Sequence, residues 1–91
     1  MDVKIYTVKD LKANAFLKPC FFPSNNAFEL GVAACLTDED HNFNKYTEDF
    51  ALYELGSYND NTGKLTTLEQ PLHLCSMDHI KTQYNKATNN G

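Results

Sequence analysis

Apolar side chains near the start of the chain fall into two short stretches of strand character. In residues 3–8, every second position is Val, Ile or Thr, which is the period-2 pattern of a strand that buries one face. After a polar connection, the apolar residues between Phe16 and Phe22 predict a second strand. Pro19 lies inside it and Pro23 follows it, and proline cannot donate to a ladder. We therefore expect this strand to be bulged or to lie at an edge of the sheet.

The next stretch has the period of an amphipathic helix, which we predict over residues 26–37. Asn26 and Glu29, three residues apart, fit an N-cap with its capping-box partner. The apolar residues at helical spacing are Phe28, Gly31, Val32, Cys35 and Leu36. The acidic residues 38–40 oppose the dipole at the C-terminal end, so the helix should stop before them. Its apolar side should pack against the strand that begins at Phe50.

The second half of the chain predicts a β-hairpin. Residues 50–58 are rich in aromatic and aliphatic side chains, and residues 59–63 have the Asn, Asp and Gly composition of a tight turn. Gly63 supplies a positive φ for that turn, while Gly56 marks a bulge or a close approach of two backbones. The return strand is interrupted at Pro71, where we expect a bulge or an exposed edge.

Together these elements predict an α+β fold in the order ββαββ, a four-stranded antiparallel sheet with one amphipathic helix packed on one face. We place this single domain in residues 1–75. Residues 76–91 should form a short helix through Met77 and Ile80, then a disordered polar tail, Asn85–Gly91. A chain of 91 residues covers little apolar surface by itself, which together with a proline-bearing edge strand favours a homodimer.

The net charge is −4, and its distribution decides which partners each surface can attract. Residues 1–20 carry four lysines and two aspartates, whereas residues 29–60 carry eight acidic residues and one lysine. All eight basic residues are lysine, so the bidentate fork that arginine offers to phosphates and guanine edges is missing. Sequence-specific reading of duplex DNA is therefore disfavoured.

No arrangement of residues predicts catalysis. The sequence lacks a Gly-rich phosphate loop, a Walker lysine and a local nucleophile cluster, so we expect a protein that is not an enzyme. His73, Cys75 and His79, with Asp78, have a spacing that could hold zinc, but structural zinc sites usually present paired ligands on tight knuckles. We therefore expect no metal and no cofactor.

The chain carries no pattern that directs it to or through a membrane. No apolar run approaches the roughly 18 residues of a membrane-spanning helix, and the first residues lack the blocks of a secretory signal. The three cysteines are widely spaced beside apolar residues, which favours buried, reduced thiols. We expect a soluble protein of a cytoplasm, with no membrane contact.

Two segments of the chain carry a family resemblance. His41–Gly63 reads HNFNKYTEDFALYELGSYNDNTG, and Pro19–Pro23 reads PCFFP, after a short N-terminal strand. In this order they resemble the small nonstructural protein of the gokushoviruses, single-stranded DNA phages of the family Microviridae, over about residues 1–75. The resemblance implies a role in phage genome replication, at the synthesis or packaging of single-stranded DNA in the host cytoplasm, with phage or host replication proteins as partners. It assigns no catalytic or metal-binding residue.

Binding of single-stranded DNA is the function that the resemblance implies and that the first residues of the chain allow. Proteins that bind single strands combine a cationic track with aromatic faces on which bases stack. The candidate residues are Lys4, Tyr6, Lys9, Lys12, Lys18 and Phe22. In the competing interpretation, Phe16, Phe21 and Phe22 belong to the core and the lysines are merely solvated.

A protein-interaction module is the alternative class of function. Its candidate residues are the acidic Asp38, Glu39, Asp40, Glu48 and Asp49. Such a surface would repel DNA but would suit a basic host or phage protein, and it can imitate the charge of DNA. Salt distinguishes the two classes, because single-strand binding weakens with a slope of about −0.7 per phosphate contact, whereas a mimic does not bind DNA.

Overall fold

The fold combines one antiparallel sheet with helices. The computed structural model describes the backbone of residues 2–89 and the side chains of residues 2–84. The strands of this part are β1 (Asp2–Asp10), β2 (Ala15–Phe16), β3 (Cys20–Phe22), β4 (Phe50–Asn59) and β5 (Lys64–Ser76). The helices are α1 (Asn25–Cys35), α2 (Asn42–Lys45) and α3 (Met77–Asn89), and a 3-10 helix (Thr47–Asp49) precedes β4. The predicted α+β class is confirmed, but the order of elements differs from ββαββ.

The predicted second strand is divided into two pieces that both pair with β1. The sheet order is β2-β1-β4-β5, and β3 pairs with β1 next to β2. Between the pieces, the Thr7 hydroxyl donates to the Leu17 carbonyl at 2.8 Å, and the Leu17 N–H donates to the Val8 carbonyl at 2.8 Å. Pro19 has no N–H to continue the ladder, which accounts for the break.

The turn between β4 and β5 is built by Asn59 and Gly63, as predicted. The Asn59 side-chain oxygen accepts the N–H groups of Asn61 and Thr62 at 2.9 and 3.0 Å. The Gly63 N–H donates to the Asn59 carbonyl at 2.8 Å. Gly63 has a φ of 75°, in the left-handed region where a side chain would be strained.

The hairpin is irregular beyond this turn, which confirms the predicted bulge. The register of β5 jumps from Thr67 to Leu72 while β4 advances only from Gly56 to Glu54. The segment that bulges out contains Pro71. A Cβ on Gly56 would come within 2.1 Å of a backbone carbonyl oxygen of β5, so glycine is required at this close approach.

Helix α1 begins slightly earlier than predicted. The Ser24 hydroxyl accepts the Ala27 N–H at 3.1 Å, so Ser24 and not Asn26 is the N-cap. Serine and asparagine cap helices equally well. The prediction used Glu29 as the capping-box partner and therefore placed the N-cap two residues too late, at Asn26. The helix ends at Cys35, ahead of the predicted end at residue 37.

The core lies between the helices and one face of the sheet, which we call the covered face. Its buried side chains are Tyr6, Val8, Phe28, Val32, Leu36, Phe50, Leu52, Met77 and Ile80. The apolar side of α1 and the strand that begins at Phe50 therefore contribute side chains to the same core.

Helix α3 adds to this core and is longer than predicted. Met77 and Ile80 are fully buried, and the Ser76 hydroxyl caps the helix by accepting a backbone N–H of the first turn at 3.1 Å. The chain is helical as far as Asn89 instead of becoming disordered from Asn85. The last two residues of the predicted tail lie outside the described residues.

Candidate nucleic-acid interface

The face of the sheet opposite the covered face carries a group of rings. Side chains alternate along a strand, so the odd-numbered residues of β1 lie on this second face. Residues that pair directly across two strands share a face, and five rings share this one. Phe16, Phe21, Tyr53 and Tyr58 pair with odd-numbered residues of β1, and His73 pairs with Tyr53. We call this surface the aromatic face.

The rings of the aromatic face form two clusters. In the first, the Tyr53 ring lies 5.4 Å from the Phe16 ring and 5.4 Å from the His73 ring, at interplanar angles of 85° and 82°. In the second, the Phe21 and Tyr58 rings lie 6.0 Å apart at 73°. Edge-to-face contacts of this kind contribute about 0.5–1.5 kcal/mol each beyond burial, so the contacts help to hold the rings in place.

Much of this aromatic surface is open to solvent. Phe16 is 44% exposed and Phe21 is 53% exposed, His73 is exposed, and Tyr53 and Tyr58 are half-buried. Exposed aromatic side chains grouped on one face of a small domain mark an interaction surface. Their ring faces offer a planar ligand somewhere to stack.

One of the four predicted lysines lies against a ring of the aromatic face. The Lys9 ammonium lies 5.1 Å from the centroid of the Phe16 ring. Lys12 is exposed in the turn between β1 and β2 and lines an open cleft with Asp10 and Asp49, and Lys18 is exposed in the connection between β2 and β3. The chain therefore brings the Lys9 cation and the Phe16 ring together at one edge of the sheet.

The other three predicted DNA contacts, Lys4, Tyr6 and Phe22, lie on the covered face. Tyr6 is fully buried, and its ring stacks on Phe28 at 4.4 Å. Phe22 packs against the same core. The Lys4 ammonium lies 3.4 Å from the buried Glu54 carboxylate. All three lie in β1 or β3 at positions that face the helices. The fully buried Tyr6 ring offers no face to a base, and Phe22 is half-buried against the core.

Comparison with known proteins supplies the family. A model of the phage ORF5 protein family matches residues 3–80, which include nearly all of the sheet and the whole aromatic face. The chain belongs to the phage ORF5 protein family. No curated protein and no solved structure matched the chain. Between residues 2 and 89, the phage ORF5 protein has no helix that is long and apolar enough to span a membrane.

The sequence suggested a possible zinc site, and the structure places its candidate ligands apart from one another. His73 lies on the aromatic face, whereas Cys75 pairs with Leu52 of the core and His79 is exposed on α3. Among the side chains described in this phage ORF5 protein, no three His, Cys, Asp or Glu residues form a group that could hold a metal ion. Burial raises the pKa of Cys75 to about 11 and raises the pKa of Cys20, so both thiols are protonated near neutral pH.

The acidic residues of the phage ORF5 protein lie away from the aromatic face along the chain, between α1 and β4. Asp38, Glu39, Asp40 and Glu48 are exposed, and Asp49 is half-buried. An open cleft of about 370 Å³ lies beside Asp49. It is lined by Asp10, Lys12, Ala13, Asn42, Tyr46, Asp49 and Phe50. Of the five predicted acidic residues, only Asp49 reaches this cleft.

Sequence reasoning missed Tyr53, Tyr58 and His73 as members of this face, and it left Phe16 and Phe21 open between stacking rings and core residues. The alternation along β4 contained a signal, because a buried Leu52 places Tyr53 on the opposite face. For Phe16 and Phe21, the break around Pro19 meant that the sequence did not show which face of the sheet each short strand presents.

Proposed function

We propose that this phage ORF5 protein is the small nonstructural protein of a gokushovirus, and that it binds single-stranded DNA during genome replication or packaging in the host cytoplasm. The aromatic face, with the Lys9 ammonium beside the Phe16 ring, is the observation that carries the proposal. Bases of any identity have a π-face, so stacking on exposed rings tolerates any sequence. Because no catalytic arrangement is needed for this role, the protein acts by binding alone.

Binding should be weak and sensitive to salt. Lysine supplies point charges to phosphates without the bidentate geometry of arginine. The net charge of −4 opposes the approach of DNA, although residues 1–20, which supply Phe16 of the aromatic face, carry four lysines and two aspartates. Each phosphate contact should add about −0.7 to the slope of log affinity against log salt.

Fluorescence anisotropy with a labelled oligothymidylate tests the proposal. We expect Phe16→Ala to weaken binding about tenfold, because the loss of one stacking ring typically costs roughly 1–3 kcal/mol. Tyr46→Ala is the matched control, since Tyr46 is 48% exposed but lines the acidic cleft. Absence of wild-type binding at low salt, or an equal loss in both variants, would exclude DNA binding by the aromatic face.

The lysines are tested by two double variants of equal charge. Lys9→Gln with Lys18→Gln should weaken binding and flatten the salt dependence. Lys45→Gln with Lys64→Gln changes the net charge equally but leaves the edge of the aromatic face intact. If the two double variants bind alike, the lysines act only through net charge.

The alternative proposal is that the protein is an acidic interaction module. The cleft favours it, because Asp10 and Asp49 with the exposed Tyr46 ring suit a cationic side chain of a basic phage or host protein. A labelled oligo-arginine peptide should then bind the wild type, and Asp10→Asn with Asp49→Asn should weaken it. Asp38→Asn with Asp40→Asn is the charge-matched control, and equal weakening would leave only nonspecific attraction.

We also propose that the protein self-associates. The edge strand β5 exposes Leu65 at 59% and Leu72 at 51%, which a second copy would cover. Sedimentation equilibrium at micromolar concentration should detect a dimer, and a 10.3 kDa species alone would contradict it.

A further inference from the structure

We infer that a single DNA strand lies along β1 in an unstacked form and places about one nucleotide on each ring of a row on the aromatic face. This inference rests on the proposed function and specifies how the same surface engages its ligand. The row follows β1 because a ring pairs with each successive odd-numbered residue of that strand. In order along β1, Tyr58 pairs with Val3, Phe21 with Ile5, Tyr53 with Thr7 and Phe16 with Lys9.

The rings of this row reach over β1 from both sides. Tyr53 and Tyr58 belong to β4, whereas Phe16 and Phe21 belong to the short strands that pair with the opposite edge of β1. The ring centroids of Phe21 and Tyr58 lie 6.0 Å apart, and those of Phe16 and Tyr53 lie 5.4 Å apart. Both contacts therefore cross β1. Ile5, which pairs with Phe21, is only 7% exposed, so the surface that a ligand meets above it consists of rings.

The repeat of the row suits a strand in which bases and rings alternate. Two residues of an antiparallel strand advance about 6.8 Å, so the three steps of the row span roughly 20 Å. Stacked bases are about 3.4 Å apart, so a ring inserted between two bases sets them about 6.8 Å apart. A strand that kept its own stacking would bring only every second base to a ring. Stacking on a ring contributes about 1–3 kcal/mol per base, which favours one base for each ring.

The charges along the row suit a phosphate backbone. The acidic residues of β1 and β4 are Asp2, Asp10 and Glu54, and each pairs at a position of the covered face. Lys9 pairs at a position of the aromatic face, and its ammonium lies beside the Phe16 ring at one end of the row. On the aromatic side of these two strands, phosphates therefore meet a cation and no carboxylate.

A row of this kind limits the number of nucleotides that one protein binds, and NMR titrations with dithymidylate to octathymidylate at low salt measure that limit. Up to about four nucleotides, each added nucleotide should strengthen binding about tenfold, because it adds one stacked base. Beyond about four, each should add less than about twofold, since further bases find no ring in the row. A steep rise that continues to about seven nucleotides would mean that the strand keeps its own stacking and would overturn the inference.

Two variants distinguish an end of the row from its interior. Tyr58→Ala removes the ring at one end, so the steep rise should stop at about three nucleotides instead of about four. Phe21→Ala removes an interior ring, so it should weaken tetrathymidylate binding about tenfold and leave the limit at about four nucleotides. Tyr46→Ala should change neither quantity, and thermal unfolding of each variant verifies that the fold is retained. An unchanged limit in Tyr58→Ala would overturn the row.

A tetrathymidylate that lacks one interior base provides a second measurement on the unmodified protein. Its backbone charge equals that of the complete tetramer, so a difference in affinity reports the missing base alone. We expect the abasic tetramer to bind about tenfold more weakly. Equal affinities would show that the interior rings hold no base.

The outcomes separate the inference from the proposed function. A limit of about seven nucleotides, an unchanged limit in Tyr58→Ala or equal affinities of the two tetramers would overturn the row while leaving DNA binding in place. No binding of octathymidylate by the wild type at low salt would overturn the proposed function itself.

Discussion

The two faces of the sheet have opposite relations to solvent although the same strands form them. On the covered face, Tyr6 and Leu52 are fully buried beneath helices α1 and α3. On the aromatic face, Phe16 is 44% exposed and Phe21 is 53% exposed. Because side chains alternate along a strand, a shift of one position moves a side chain to the other face. Ile5 and Thr7 are buried on the aromatic face as well, so the difference between the faces lies in their rings. The comparison shows that aromatic content alone does not identify the core.

A charged side chain placed on the side of α1 that faces the core should cause the largest loss of stability. Val32 is 6% exposed on α1, so Val32→Asp would bury an unpaired carboxylate at a cost of several kcal/mol. Small domains are stable by only roughly 5–15 kcal/mol, so we expect strong destabilisation or unfolding, measured by thermal and urea denaturation. Leu30→Asp is the control on the same helix, since Leu30 is 51% exposed. Equal melting temperatures for the two variants would contradict the assignment of the helix face.

Truncating one phenylalanine on each face compares the faces directly. Phe28 is 1% exposed, so Phe28→Ala should cost about 3–5 kcal/mol of unfolding free energy. Phe16→Ala should cost about 1 kcal/mol, because that ring is half in water and loses chiefly its contact with Tyr53. Urea unfolding with a common slope measures both. A larger loss for Phe16 would mean that the aromatic face is structural.

The strands and the apolar side of α1 could be predicted because their signals are local. Periodicity located residues 26–37 and 50–58, and the composition of residues 59–63 predicted the turn. The start of α1 and the length of α3 were missed for physical reasons. Two good caps, Ser24 and Asn26, lie close together, and α3 gains stability from the burial of Met77 and Ile80, which only the fold reveals.

The candidate site was only half predictable, because it is assembled from distant strands. Lys9, Lys12 and Lys18 could be chosen from local charge, and the structure places Lys9 beside the Phe16 ring. Tyr6 and Phe22 were chosen by proximity in sequence to those lysines, but strand alternation turns them toward the core. Tyr53 and His73 reach the same face only through pairing across β4 and β5, which a single sequence does not specify.

Glycine substitutions in the hairpin should distinguish a close approach from a simple turn. In Gly56→Ala, the added Cβ would meet a β5 carbonyl oxygen at 2.1 Å, so both strands must shift and we expect a loss of about 3 kcal/mol. In Gly63→Ala, the Cβ would meet nothing within 4 Å, and the positive φ alone should cost about 1 kcal/mol. Thermal unfolding measures both, and a larger effect at Gly63 would refute the close approach.

The smallest expected effect is a loss of stability at high pH that originates on the covered face. Burial raises the pKa of Cys75 from 9.0 to about 11, and burial, with a lesser contribution from Glu54, raises the pKa of Tyr6 from 10.0 to about 12. The folded protein therefore holds these protons more tightly than the unfolded chain does. The Cys75 contribution is fully present below about pH 9 and is lost as the pH rises through about 11.

Urea unfolding under reducing conditions between pH 8 and pH 11 measures this contribution. The wild type should lose stability over this range, and Cys75→Ala should lose less of it. The difference should stay below about 2 kcal/mol, since Cys75 retains some contact with solvent. Cys35→Ala is the matched control, because Cys35 is also half-buried but lies on α1. If the stability of Cys75→Ala declined with pH as steeply as that of the wild type, burial beside Leu52 would not be holding the Cys75 proton. The covered face near β5 would then be more exposed to water than in the structure.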